Sequence, residues 1–242
     1  QQLTGTELKT PKEMVAWMGA IQAQEYSMAK WGIGLRLWNV TDRMVEEAVN
    51  KGEILRTHVM RPTWHFVSPD DIHWMIALTG PRILPALTSY NKILKVEGSS
   101  IVKLQPLIFK LLEGGNHLTR EELSEALKQR GVEVDNRHLN HIMFHAEIEG
   151  IVCSGRVKGN KQSYCLLEEI VPKPANFDKN DALEKLARRF FTSHAPATLQ
   201  DFAWWSGLTL TDSKKAIEAI RNEFVIERID GQEYIFNSSF QG

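Results

Sequence analysis

The order of secondary structure is clearest in residues 101–169, which read IVKLQPLIFKLLEGGNHLTREELSEALKQRGVEVDNRHLNHIMFHAEIEGIVCSGRVKGNKQSYCLLEE. Apolar residues there follow helical spacing as far as Gly114-Gly115, a glycine pair that ends a helix. Thr119 and Glu122 then form the capping-box pattern that begins a second helix. A third amphipathic helix is predicted from about Asp135 to Gly150. The stretch therefore predicts three consecutive helices.

A β-hairpin is predicted directly after these helices. Two apolar runs, 151–153 and 164–167, flank the turn-forming Lys158-Gly159-Asn160. Three helices followed by a hairpin are the order of a winged helix. The sequence thus predicts a mostly α fold with small β-hairpins, of the α+β class.

The same order is predicted after the Pro172–Pro174 linker. A helix over 182–193 is followed by a short helix capped by Thr198, a third helix, and a hairpin around Asp230-Gly231. The short helix carries Trp204-Trp205, of which one is expected in the core and one at an interface.

The first hundred residues repeat the order less clearly, with one further helix at the end. The predicted elements are helices over 12–21, 25–37 and 41–51, a hairpin over 54–66, and a helix over 70–95. We therefore predict three tandem winged-helix (helix-turn-helix) domains, spanning 1–98, 99–171 and 172–242.

The composition is that of an ordinary globular protein. Of 242 residues, 43% are hydrophobic and 24% charged, and no apolar run reaches the length of a membrane span. Cys153 and Cys165 are expected to be packing residues, near neighbours across the hairpin, in the reducing cytoplasm. The net charge of −1 means that a nucleic-acid-binding protein of this composition must concentrate its basic residues on one face.

Two polar segments in the first repeat are candidates for a binding pocket. The first is Gln22-Ala23-Gln24, and the second is the hairpin from Arg56 to Phe66. Polar groups are costly to bury without partners, so they favour a pocket for a polar ligand. The candidate residues of the hairpin are Arg56, His58, Arg61, Thr63 and His65.

Each segment also has a structural interpretation. One glutamine could cap a helix end while the other faces solvent, and residues two apart on a helix do not face each other. Gln22 and Gln24 can therefore converge only if the preceding helix ends near Ile21. The hairpin arginines could instead pair with acidic residues at a domain interface, with Glu46, Glu47 and Glu53 as the candidates.

The second repeat supplies further basic and polar candidates. Its third helix is the element that enters the major groove in many winged helices, and its hairpin is suited to phosphate contact. The helix carries Arg137, His138 and His141, and the hairpin carries Arg156, Lys158 and Lys161. We expect no metal site, because no evident set of ligands completes the histidines of the helix. The alternative is a merely solvated wing.

Three motifs together resemble a known family, the winged-helix DNA glycosylases related to AlkZ and YcaQ. Gln22-Ala23-Gln24 is similar to the Gln-apolar-Gln motif of the AlkZ-like branch, and the segment 56–65 is similar to the Arg-rich hairpin that follows it. Pro196-Ala197-Thr198 with Asp201-Phe202-Ala203-Trp204-Trp205-Ser206-Gly207-Leu208 resembles a segment of the third winged helix. Family members usually continue into a β-rich C-terminal domain, which is not expected within this chain.

The resemblance implies a function in DNA repair. It makes Gln22 and Gln24 the catalytic pair, with Gln24 at the position that is Asp in the YcaQ-like branch. The implied reaction is hydrolysis of the N-glycosidic bond of alkylated or crosslinked bases in double-stranded DNA, by a monomer without a cofactor. Two alternatives are a non-catalytic DNA-binding regulator and a protein-interaction scaffold, and the near-neutral charge favours the scaffold.

Overall fold

Helices form most of the molecule, and the strands form three small antiparallel sheets. The computed structural model describes residues 2–3, 5–94 and 98–238. The sheets have the strand orders β1-β3-β2, β4-β6-β5 and β7-β8. The predicted α+β class with small hairpins is confirmed. Within the described ranges, no helix has both the length and the apolar character needed to cross a bilayer.

The first repeat contains three helices and a three-stranded sheet. Its elements are α1 (Pro11–Met18), β1 (Ala20–Gln22), α2 (Tyr26–Gly34), α3 (Asp42–Asn50), β2 (Leu55–His58) and β3 (Trp64–Val67). The first helix begins at a capping box formed by Thr10 and Glu13 and ends at Gly19, whose φ is 78°. The predicted helix over 12–21 is therefore too long, because Gly19 turns the chain into a strand that the sequence did not predict.

A long helix leads from the first repeat to the second. This helix, α4 (Pro69–Leu94), contains Pro81 and Pro85 and corresponds to the predicted helix over 70–95. Lys95, the predicted last residue, lies outside the described residues. Ile72 and Met75 of α4 are buried in the largest apolar core.

The second repeat has the same order as the first. Its elements are α5 (Gly98–Leu112), β4 (Leu118–Thr119), α6 (Arg120–Lys128), α7 (Asn136–Ile148), β5 (Val152–Ser154) and β6 (Ser163–Leu166), followed by α8 (Leu167–Ile170). The predicted capping box of Thr119 and Glu122 is present. Cys153 and Cys165 are opposite each other across the hairpin, buried, with their Sγ atoms 3.7 Å apart. Leu167 begins a short helix instead of ending the predicted strand.

The third repeat contains α9 (Lys179–Ser193), α10 (Leu199–Ser206), α11 (Leu210–Ile220), β7 (Val225–Ile229) and β8 (Gln232–Phe236). Thr198 caps α10 and Gly207 ends it, as predicted. The hairpin turn is Asp230-Gly231, with φ values of 50° and 82°. A single bridge between Ala197 and Ile235 occupies the place that β1 and β4 have in the other repeats.

The apolar cores explain how the repeats are held together. One core lies within the first repeat and another within the second. The largest core joins residues of all three repeats with α4, and it includes Ala20, Leu55 and Val67 on one face of the first sheet. The first sheet is therefore covered on this face by the third repeat, whose helix α10 lies against Gly19 and Met60.

Candidate functional site

Neither glutamine lies on a helix, because Gln22 ends a strand and Gln24 follows it in a bend. Gln22 is the last residue of β1, and pairing continues to Ala23, whose N–H donates to the carbonyl of Trp64 at 2.7 Å. Both glutamines are exposed whereas the intervening Ala23 is buried, so both amides lie on the solvent side of this segment. The geometric condition for convergence is met, because α1 ends at Met18.

Both amides lie beside the start of β3. Gln22 is paired with His65, and the Oε1 of Gln24 accepts a hydrogen bond from the backbone N–H of Trp64 at 3.4 Å. This distance is at the long limit for a hydrogen bond, so the amide of Gln24 is weakly held. The alternative in which a glutamine caps α1 does not apply, since Gly19 is the C-cap.

A row of polar side chains continues from Gln22 across the sheet. Gln22 is opposite His65, and His65 is opposite Thr57, so the three share one face. The Nδ1 of His65 lies 2.9 Å from the carbonyl of Thr63, and burial lowers the pKa of His65 to about 4. The imidazole is therefore neutral at pH 7, with Nδ1 donating to the carbonyl and Nε2 left as an acceptor.

Three polar atoms of this row have no hydrogen-bond partner within the described part of the chain. They are the Nε2 of His65, the Oγ1 of Thr57 and the Oγ1 of Thr63, and all three are buried. Buried polar atoms in folded proteins are nearly always hydrogen-bonded to protein or water. A row of such atoms next to two exposed amides is suited to a polar ligand.

The opposite face of the hairpin is fixed to α7 by a buried carboxylate. Glu147 accepts a short hydrogen bond from the ring of His58 and another from the Nε1 of Trp64 at 3.2 Å. The ring of His58 lies between Trp64 and Phe144, with centroid distances of 4.3 and 3.8 Å. His58 is 4% exposed, which differs from the predicted direct contact with DNA because α7 covers it.

Arg56 is also enclosed. Its Nε donates to the carbonyl of Ala23 at 3.0 Å, and its guanidinium lies 4.4 Å from the ring of Trp64. Burial lowers the pKa of Arg56 below its ordinary value, and the nearby Glu147 opposes that shift. Arg56 thus braces the segment that carries the glutamines and does not reach the surface as predicted. Among the described residues, neither Arg56 nor Arg61 forms the alternative ion pairs with Glu46, Glu47 or Glu53.

The tip of the hairpin contacts the third repeat. Met60 has a φ of 65°, and its N–H donates to the Oγ1 of Thr79 at 3.0 Å. Its carbonyl lies where a Cβ at Gly207 would be, so only glycine fits there. Arg61, which follows, is half-buried, with its guanidinium 4.6 Å from the ring of Trp204.

Two cavities separate the hairpin from the second repeat. One, of about 220 Å³, is lined by His58, Trp64, Arg137, Asn140, His141, Phe144, Glu147 and Tyr164. The other, of about 290 Å³, is lined by Arg56, Trp64, Arg120, Glu121, Asn160, Lys161, Gln162 and Tyr164. Trp64 and Tyr164 border both cavities, and Trp64 is also the residue that holds Gln24.

The candidates on α7 divide into surface and interior residues. Arg137 is exposed, and His138 is half-exposed, with its Nδ1 2.6 Å from the carboxylate of Asp135. His141 is buried beside Asn91 of α4, and burial lowers the pKa of His141 to about 4. The prediction that His141 contacts DNA from the helix surface needs correction, because α4 covers that side of α7.

The candidates on the second hairpin are exposed, and its lysines pair with acidic residues of α6. Lys158 lies 2.9 Å from Glu122, and Lys161 lies 3.6 Å from Glu121. Arg156 is exposed, and its backbone N–H donates to the ring of His117 at 3.0 Å. Lysines in such exposed pairs can exchange the carboxylate for a phosphate at little cost.

Comparison with known proteins assigns the chain to a family. The profile of the DNA glycosylase AlkZ-like proteins matches residues 15–238. The chain belongs to the AlkZ-like DNA glycosylase family. The resemblance found in the sequence is thereby confirmed.

One curated relative and one solved structure, both from Streptomyces sahachiroi, illustrate the membership of this AlkZ-like chain. The interstrand DNA cross-link repair glycosylase of Streptomyces sahachiroi is 24% identical over 84% of this chain, and the match spans 56% of that relative. The solved structure of the Streptomyces sahachiroi DNA glycosylase AlkZ has a TM-score of 0.73 at 18% identity, covering 98% of this chain and 67% of that chain. The likeness shows a shared fold, and the AlkZ-like chain spans little more than half the length of the curated relative.

Sequence reasoning missed several residues of this AlkZ-like site. Glu147 and Phe144 of α7, Trp64 of β3 and Trp204 of α10 were not singled out as site residues. The sequence does contain a signal for Glu147. This charged residue directly follows Ala146, the last residue of the apolar stripe of α7, and a charged residue is buried only when it is paired. No three potential metal ligands come together among the residues that the structure describes.

Proposed function

We propose that the three repeats are winged-helix domains, spanning 1–98, 99–171 and 172–242, that bind double-stranded DNA and hydrolyse the N-glycosidic bond of an alkylated base. Gln22 and Gln24 form the catalytic pair. The observation that carries the proposal is the common exposure of the two amides, on either side of the buried Ala23 and beside the start of β3, where polar atoms of Thr63 and His65 lack partners. Membership of a glycosylase family supports the reaction class.

The chemistry of two amides limits the substrate. Cleavage of a glycosidic bond passes through a transition state with oxocarbenium character. Amide oxygens can orient a water molecule, but they cannot remove its proton as a carboxylate can. The leaving base must therefore be activated already, as an N7-alkylpurine is through its positive charge. The weakly held Gln24 amide is free to turn toward such a water.

The exposed basic residues are proposed to hold the DNA backbone. These are Arg137, Arg156, Lys158 and Lys161, with His138 beside them. Phosphate contacts position a duplex without reading its sequence. Arg56, His58, His65 and His141 are buried and support the site from within, whereas the partly exposed Thr63 faces the lesion.

The test is release of a modified base from duplex DNA containing N7-alkylguanine. Gln22→Ala and Gln24→Ala are expected to lower the single-turnover rate by at least tenfold with little change in duplex affinity. Gln129→Ala, an exposed glutamine at the end of α6, is the control and should match the parent protein. Undiminished release by Gln24→Ala would remove it from the mechanism. Duplex binding without any release would leave a non-catalytic DNA-binding protein.

A further inference from the structure

Trp204 combines high exposure with a cationic neighbour. It is 73% exposed, whereas the adjacent Trp205 packs against the largest core. An exposed tryptophan is unusual, because its large apolar surface is normally buried at least in part. The guanidinium of Arg61 lies over the Trp204 ring, with 4.6 Å between Cζ and the ring centroid. Aromatic rings and guanidinium planes are the groups on which proteins typically stack unpaired nucleobases.

The position of α10 brings this pair to the glutamines. At one end, Trp205 lies 3.5 Å from the position of a Cβ at Gly19, the residue before β1. At the other end, Gly207 touches the hairpin tip, with the Cγ of Arg61 3.3 Å from its Cβ position. The last turn of α10 therefore bridges the start of β1 and the tip of the hairpin. Gln22 and Gln24 lie on the segment between these two contacts.

The glutamines also face the third repeat. Ala20 of β1 packs in the core that contains Ala197 and Phe202 of the third repeat. Gln22 is two residues beyond Ala20 on the same strand, so its side chain leaves the same face of the sheet. Trp204 belongs to the turn of α10 that meets Gly19 and the hairpin tip, so its exposed indole borders the face of the sheet that carries Gln22.

We propose that Trp204, backed by Arg61, is a stacking platform for a nucleobase that has left the helical stack beside the lesion. The proposal rests on the proposed DNA binding and adds a binding residue to it. Every nucleobase has a π face that can stack on an aromatic ring. The platform can therefore bind any base, whatever the DNA sequence around it. Arg61 limits the rotation of the indole and adds a positive charge near the phosphates.

The test uses equilibrium binding of the full chain to two duplexes that cannot be cleaved. One is fully paired, and the other has a tetrahydrofuran abasic analogue opposite 2-aminopurine, a fluorescent base that is quenched on stacking. Base–aromatic stacking corresponds to about 5- to 150-fold in affinity. The parent protein is expected to prefer the abasic duplex by at least fivefold and to quench the 2-aminopurine.

Three variants make the result specific. Trp204→Ala is expected to lose the preference and the quenching, and Trp204→Phe to retain part of both. The slope of affinity against salt should not change in Trp204→Ala, since no phosphate contact is lost. Trp38→Ala removes another tryptophan, 75% exposed and outside the site, and serves as the matched control. Equal thermal stability of the variants shows that all are folded.

The outcomes separate the two proposals. If the parent protein binds neither duplex, both DNA binding and the platform are refuted. If it binds and Trp204→Ala retains the preference and the quenching, the platform alone is refuted. If Trp38→Ala loses as much as Trp204→Ala, the effect is not specific to this platform, and the proposal also fails.

Discussion

Removal of the buried carboxylate of Glu147 is expected to be among the most destabilising single changes in the chain. Glu147 is fully buried and accepts hydrogen bonds from His58 and from the indole N–H of Trp64. In Glu147→Ala both donors lose their acceptor inside the protein. Each such unsatisfied group costs about 1–3 kcal/mol, so the loss for the two donors together is about 2–6 kcal/mol.

We therefore expect Glu147→Ala to lower the free energy of unfolding by about 2–6 kcal/mol, which lowers Tm by roughly 10 °C for a chain of this size. Glu147→Gln keeps the shape and an acceptor oxygen for Trp64, so its cost should be about 1 kcal/mol. Both variants should also slow base release, because the hairpin that holds Gln24 loses its attachment to α7.

Urea unfolding at pH 7, followed by circular dichroism, measures these differences. Glu149→Ala is the control on the same helix, since Glu149 is exposed and such substitutions stay within about 0.5 kcal/mol. If Glu147→Ala unfolds with the same midpoint and slope as Glu149→Ala, then the carboxylate does not hold the hairpin to α7. The account of the site as a braced hairpin would then be wrong.

Three further outcomes are expected. Folding lowers the pKa of His65 to about 4, so as pH falls His65 takes up a proton in the unfolded protein at a higher pH than in the folded protein. The stability present above pH 6.5 is therefore lost as pH falls toward 4. This amounts to about 2 kcal/mol between pH 7 and 5, and urea titrations of His65→Gln should show a flatter pH profile than those of His138→Gln. Lys158→Ala should reduce the salt slope of duplex binding by about one, with stability changed by less than about 0.5 kcal/mol; an unchanged slope would exclude a phosphate contact. Gly207→Ala should lower Tm more than Gly114→Ala, because both have a positive φ but only Gly207 abuts the hairpin tip; equal losses in thermal scans would contradict that close approach.

Local signals in the sequence predict the elements of this fold well. The capping boxes at Thr119 and Thr198 and the turn at Asp230-Gly231 lie where the sequence indicated. Each depends on residues within three or four positions of one another, so the interaction is visible in the sequence itself. The repeated order of helices and hairpins follows from such signals.

The interior of the site could not be predicted in the same way. The sequence predicts Arg56 and His58 as surface contacts for DNA, because nothing nearby in the sequence reveals that Glu147 of α7 will bind His58. That pairing joins two repeats, and it is fixed by the packing of α7 on the hairpin. The same holds for Arg61 and Trp204, whose contact depends on how the third repeat is placed.

The short strand β1 links the third repeat to the proposed chemistry. On a helix, Gln22 and Gln24 would point in different directions, whereas here both are exposed and the intervening Ala23 is buried. The helix is ended by Gly19, whose backbone is held from the third repeat by contacts to Arg189 and Trp205 at 3.3 and 3.5 Å from its Cβ position. The third repeat therefore contributes to the proposed chemistry as well as to the proposed DNA contact, because it packs against Gly19, where the chain leaves α1 for the strand that ends in Gln22.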